Sequence, residues 1–176
     1  NMLDSVEIEI GGQQIDKHFG HWLEVWAELT QENPGTVAPG AASGVPPAGA
    51  TKFQGLALAG GVTDAAGLVT LTDAHYVPLQ FWFCRNPGLA LPLIALQYHE
   101  VKLIINWSAA VSASSATVKD NVSIWADYVY LDTDERRRFA QVSHEYLIEQ
   151  VQHQDGNASS KSNDLNLNHP VKELIW

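Results

Sequence analysis

SVEIEIGG, residues 5–12, alternates strictly until its closing glycines. Val6, Ile8 and Ile10 fall on one side and Glu7 and Glu9 on the other, the two-residue period of a half-buried β-strand. Gly11-Gly12 is a turn that stops it. The same period returns in Val101–Trp107, where Val101, Leu103, Ile105 and Trp107 share a side. In Val77–Phe83 the residues Val77, Leu79, Phe81 and Phe83 do so, with Pro78 marking a strand start or an edge. Ser123–Leu131 is apolar and aromatic on both sides, the pattern of a central strand covered from above and below. Tyr146–Val151 reads as a further strand.

Helices are few and short. Asp16 is placed to cap a helix over Lys17–Thr30, with Phe19, Trp22, Leu23, Trp26 and Leu29 as its apolar stripe and His18, His21, Glu24 and Glu28 on the wet side. Asn86-Pro87-Gly88 is a turn. Leu89–Gln97 is too apolar to face water, and Pro92 suits the first turn of a short buried helix. Asp132 with Glu135 three residues on has the arrangement of a capping box, opening a short helix that carries Arg136-Arg137-Arg138. Pro34–Ala50 is mostly Pro, Gly and Ala and reads as a long exposed loop, as does Ser108–Asp120. Phe53–Ala66 is ambiguous, and Leu68–Leu71 has the look of a short strand. Short strands, long loops and no βαβ alternation indicate an all-β antiparallel sandwich or barrel. The polar run His153–Asp164 is a linker, so the expected organisation is one unit over 1–152 and the start of another at 165–176. Termini that sit within strand-like runs, ending on Leu174-Ile175-Trp176, suggest an internal piece of a longer protein.

Composition narrows the function. The 176 residues carry 20 acids against 10 Lys and Arg, a formal charge of −10, which argues against direct contact with a phosphate backbone. Hydrophobic residues are 45% of the chain and six are Trp, so a packed core is affordable. Even the longest apolar run, Leu89–Leu96, is far shorter than the roughly 18 residues of a membrane span. The single cysteine, Cys84, permits neither an internal disulfide nor a thiolate zinc site, and Asn1–Ile10 lacks the features of a signal peptide; both fit a reducing compartment.

No catalytic constellation emerges. His18, His21 and Glu24 have the spacing H-x-x-H-x-x-E, yet on the helix just described they would sit opposite the apolar stripe, so a solvated face is the expected reading. His99-Glu100 and His144-Glu145 are adjacent pairs whose members point apart in a strand. Cys84 has no nameable base to activate it. Arg136–Arg138 is flanked by Asp132, Asp134 and Glu135, which favours local ion pairs or a subunit contact over an anion site. Asn106, Asn121 and Asn157 begin N-glycosylation acceptor triplets, read here as surface-loop residues. The expectation is therefore no catalytic, cofactor-binding or metal-binding residue and no cofactor.

Four stretches carry a resemblance: VEIEIGGQQIDKHFGHWLEVW (6–26), YVPLQFWFCRNPGLALPLIALQYHEVKL (76–103), SIWADYVYLDTDERRRFAQVSHEYLIEQVQ (123–152) and LNHPVKELIW (167–176), together 89 of 176 residues. In family order they resemble the major capsid protein of nucleocytoplasmic large DNA viruses, of the phycodnavirus and iridovirus type. The resemblance implies a double jelly roll, two sandwiches in tandem. Residues 1–152 would then be the first jelly roll lacking its opening strands, 153–164 the linker, and 165–176 the first strand of the second. It implies a non-enzymatic shell protein that trimerises into pseudo-hexagonal capsomers tiling an icosahedral virion and is assembled in host cytoplasm. Its partners would be neighbouring capsomers and minor capsid proteins, with no direct nucleic acid, near an internal viral membrane without insertion. The alternatives are a jelly-roll binding module, a cupin-like metal enzyme, and a scaffold relative that forms transient lattices. Phe19, Trp22, Trp26, Phe81, Phe83, Ile105, Trp125 and Val129 are the expected core, with Trp125→Ala costing roughly 3–5 kcal/mol.

Overall fold

The computed structural model describes residues 3–30, 76–109, 122–157 and 159–176. The loop expected over Pro34–Ala50, the ambiguous Phe53–Ala66, the strand expected over Leu68–Leu71, Asn121 and nearly all of Ser108–Asp120 lie outside the described residues.

Strand β1 runs over Leu3–Ile10, β2 over Gln13–Phe19 and β3 over Val101–Trp107. They form an antiparallel sheet in the order β2-β1-β3. Gly11 and Gly12 both have positive φ (60° and 82°) and join Ile10 directly to Gln13, the two-residue hairpin turn whose backbone suits the twist of its strands. The turn is tied across the sheet by Gly11 N–H, which donates to the Glu100 carbonyl (2.9 Å). One face of the sheet is polar: Lys17 pairs with Glu7 at 2.8 Å, and Lys102 lies 3.7 Å from Glu9. The other face carries Val6 and Ile8, both buried.

That face meets Phe81 and Trp82, also buried, and the four form the main core. Leu79, Leu103, Ile105 and Ile148 pack around them, half-buried. Helix α1, Gly20–Thr30, buries Leu23 and Ala27 against Leu3, Val77 and Leu79.

Several expectations need correction. Asp16 caps no helix: it lies inside β2, and the helix begins only at Gly20. The buried stripe of α1 is Leu23 and Ala27, while Trp22 and Trp26 are half-buried and stack on each other (5.4 Å) and Leu29 is exposed. Val77–Phe83 is not a strand. Phe81 and Trp82 are both buried, which strict alternation forbids, because the chain turns into the short helix α2, Trp82–Arg85. Leu89–Gln97 is not a buried helix. The 3₁₀ turn Pro87–Leu89, capped by the Asn86 side chain on Gly88 N–H (2.9 Å), leads into turns in which the Pro92 carbonyl accepts from Ala95 and Leu96.

Ser123–Leu131 joins no ladder among the described residues. Apolar residues on both sides require two covering layers, and the described residues supply neither: Trp125 is 85% and Val129 66% exposed. Tyr146–Val151 likewise joins no ladder and is held to β2 by side chains instead. Of the expected core, Phe81 is fully buried; Phe19, Trp22, Trp26, Phe83 and Ile105 are half-buried. The helix expected after Asp132 is present as α3, Thr133–Gln141, with Glu135 N–H donating to the Asp132 carboxylate (2.9 Å).

From residue 149 the chain runs out and doubles back. Glu149 pairs with Lys172, and Gln152 accepts from Asn168 N–H (3.3 Å). Gln154 accepts from Asn166 N–H (3.0 Å), and the Asn163 side chain accepts from Asn157 N–H (2.8 Å). The Gln and Asn side chains here perform the pairing that backbone groups perform in a ladder, which explains why this stretch is so polar.

Candidate functional site

The residues singled out for chemistry are kept apart. His18 lies in β2 with its side chain in the core, while His21 and Glu24 lie on α1, so the H-x-x-H-x-x-E spacing does not share one helix. Among the described residues no three His, Cys, Asp or Glu side chains converge as a metal site would require.

Among the described residues the one buried polar pair is Asp16 and His18, two residues apart on the core face of β2. His18 Nε2 lies 2.9 Å from Asp16 Oδ2, close but poorly aligned for a hydrogen bond. Asp16 Oδ1 accepts from Val151 N–H (3.0 Å), and the His18 ring stacks on Phe81 at 4.4 Å. Ile15, the extra residue in the register between β1 and β2, has a carbonyl that accepts from the Gln150 side chain. A bulge leaves such a group unpaired in the ladder. The arrangement fastens residues 150–151 to the sheet.

Cys84 is exposed, and desolvation of its thiol pushes it above the ordinary value, outweighing the opposing Phe81 backbone contact and the nearby Arg85. A thiol held protonated is a poor nucleophile. His144 donates through Nε2 to the Phe139 carbonyl (2.8 Å) and stacks on the Phe139 ring, closing the end of α3. His99 and Glu100 are exposed, and Glu100 pairs with Lys102 at 3.1 Å.

Asn106 belongs to β3, and its amide donates to Ser5 Oγ (3.0 Å) and Glu7 Oε1 (3.2 Å), so it is a sheet residue and not a loop residue. Asn157 is exposed in a turn, where its side chain accepts from Ser159 N–H (2.9 Å).

What the described surface offers is area for contact. A shallow depression of about 220 Å³ is lined by Ile94, Tyr128, Val129, Tyr130, Leu131 and Arg136. Beside it Arg136, Arg137 and Arg138 are exposed on α3, and Arg137 makes the local pair expected of it, 3.6 Å from Asp134. A second hollow, about 270 Å³, lies between α2 and Lys172. There Glu149 bridges Arg85 (3.0 Å) and Lys172. The Lys172 ammonium, and more weakly the Arg85 guanidinium, hold the Glu149 carboxyl below the usual carboxylate range. Sequence reasoning did not find this triad, because its members are 64 and 23 residues apart and no local pattern joins them.

Residues 1–132 match the family model described as the major capsid protein N-terminus, and residues 135–176 match that of the large eukaryotic DNA virus major capsid protein. The chain is 52% identical over 99% of its length to the major capsid protein of Pyramimonas orientalis virus, covering 42% of that protein. It is 39% identical over 99% of its length to the major capsid protein of Paramecium bursaria Chlorella virus 1, covering 40% of that protein. Two solved structures resemble this one. The PBCV-1 VP54 crystal structure, fitted into a reconstruction of the virophage Sputnik, matches with a TM-score of 0.59 at 40% identity over 86% of this chain and 34% of that one. A quasi-atomic model of the PBCV-1 virus capsid matches with a TM-score of 0.57 at 36% identity, again over 86% and 34%. The chain thus spans about two fifths of the length of these curated relatives. The fold class is the antiparallel all-β jelly roll expected from the sequence.

Proposed function

Since the chain belongs to the family of major capsid proteins of large eukaryotic DNA viruses, we propose that it is part of a shell subunit that associates in threes into pseudo-hexagonal capsomers, which tile an icosahedral capsid. The observation that carries this reading is the 52% identity to a major capsid protein along practically the whole chain. A solved relative that is itself a virus capsid model supports it.

In this reading residues 1–152 belong to a first jelly roll, 153–164 to a linker and 165–176 to the opening of a second. The subunit catalyses no reaction, and its partners are its own copies, neighbouring capsomers and minor capsid proteins. Its charge of −10 turns it away from the genome, and assembly takes place in host cytoplasm close to an internal membrane that it does not enter. The physical logic is that a rigid sandwich core holds variable loops, and head-to-tail contacts repeated around an axis build a closed ring.

Light scattering on the complete subunit tests this. We expect a mass of three subunits, and hexagonal outlines in negative-stain electron micrographs. A stable monomer at micromolar concentration overturns it.

A further inference from the structure

Residues 153–164 have the composition of a flexible linker, yet hydrogen bonds pin the chain on both sides of them. On the near side Ile148 packs on the main core, Gln150 donates to the Ile15 carbonyl, and Val151 N–H donates to the buried Asp16 carboxylate (3.0 Å). On the far side the returning chain is fastened to that first arm. Asn157 N–H donates to Asn163 Oδ1 (2.8 Å), Asn166 N–H to Gln154 Oε1 (3.0 Å) and Asn168 N–H to Gln152 Oε1 (3.3 Å). Gln154 Nε2 donates in turn to the Asp164 carbonyl (2.6 Å), and Lys172 pairs with Glu149.

These pairs keep one register. Residue 157 stands opposite 163, 154 opposite 166, 152 opposite 168 and 149 close to 172, as in the two arms of an antiparallel hairpin. A flexible linker samples many conformations and keeps no register. Ordering so polar a run costs chain entropy, and these bonds offset that cost. The links also run in series. The bulge in β2 holds Gln150, Asp16 holds Val151, and the next two glutamines hold the returning arm. The direction of residues 166–172 is thus set by β2.

We propose that residues 149–172 are a rigid brace that fixes the direction in which the chain leaves the first sheet, with Gln152 and Gln154 as its positioning residues. Under the two-unit reading above, on which this consequence rests, the brace sets the angle between the two jelly rolls of one subunit.

Between Arg138 and Lys172 the sole Lys or Arg is Lys161, so trypsin reports on the middle of the brace in the complete subunit. A protease cuts a stretch that opens locally, and its rate follows the population of the open form. The test compares wild type with Gln152→Leu and Gln154→Leu together, which removes both amides at similar size, and with Gln152→Glu, which keeps an acceptor for Asn168 N–H. Melting temperature and light-scattering mass are measured on the same samples. Cleavage after Lys161 is expected to be slow in wild type, at least about tenfold faster in the double Leu variant at unchanged melting temperature, and slow again in Gln152→Glu. A double variant cut no faster than wild type, or a wild type cut as fast as an unfolded peptide, overturns the brace and leaves the capsomer reading standing. A monomeric wild type that resists trypsin while the double variant is cut overturns the capsomer reading and leaves the brace. If the double variant melts lower than wild type, Asn163→Ala, which takes the acceptor from Asn157 N–H, is read in its place, and cleavage of that variant no faster than wild type overturns the inference.

Discussion

Asp16 and His18 occupy core positions of β2 where apolar residues would ordinarily stand. They face the same side as Val6 and Ile8, their register partners being Ile8 and Val6 respectively. Removing one member of such a buried pair strands the other, and here it also strands Val151 N–H, which donates to Asp16. Asp16→Ala is therefore expected to destabilise the protein by roughly 3–5 kcal/mol in urea denaturation. A loss below about 1 kcal/mol would show that water or a rearranged partner satisfies both groups. This pair is also where the sequence misled. In QQIDKHF the apolar residues Ile15 and Phe19 stand four apart, a helical interval, and the inward positions are polar. Hydrophobic period cannot mark a strand whose core face is built from a carboxylate and an imidazole. The signal for the true structure was the Gly11-Gly12 pair, since two-residue glycine turns join antiparallel strands.

Among elements, β1 and β3 were legible because each has one wet and one dry face, so that alternation in sequence maps directly to burial. The start of α3 was legible because a capping carboxylate acts over three residues and needs nothing distant. Segments whose conformation depends on remote partners were not. Residues 77–83 alternate like a strand, but the ring of Phe81 is drawn under the sheet and Trp82 follows it inward. Residues 123–131 have the composition of a central strand, yet among the described residues no strand lies on either side of them. The expected cost of Trp125→Ala changes accordingly. A side chain 85% exposed loses little when truncated, so within these 176 residues the substitution is expected to shift stability by no more than about 0.5 kcal/mol. Chemical denaturation with Trp125→Ala measures this, and a loss of 3 kcal/mol or more would restore the buried central strand.

At the scale of the whole molecule, distant parts of the chain are fastened by charge as well as by the core. Glu149 joins α2 through Arg85 to the returning segment through Lys172, while Arg85 itself lies over the Trp26 ring at 5.1 Å on α1. One carboxylate thus links three stretches that share no ladder. Because both cations favour its charged form, Glu149 titrates lower in the folded chain than in the unfolded one. Between those two values the unfolded chain binds the extra proton. The stabilisation is therefore fully present above the unfolded carboxylate range, near pH 4–5, and is lost as the pH falls through the folded value. Glu149 is 43% exposed, so screening limits the contribution to at most about 1 kcal/mol. Glu149→Gln is expected to lower stability by up to that amount at pH 7, by less in 0.5 M salt (about half or below), and by steadily less as the pH falls through the folded value and wild type takes up the proton as well. Paired urea titrations of the two proteins across that range measure the difference. A gap that does not shrink as the solution is acidified would assign the effect to the shape of the side chain and not to its charge.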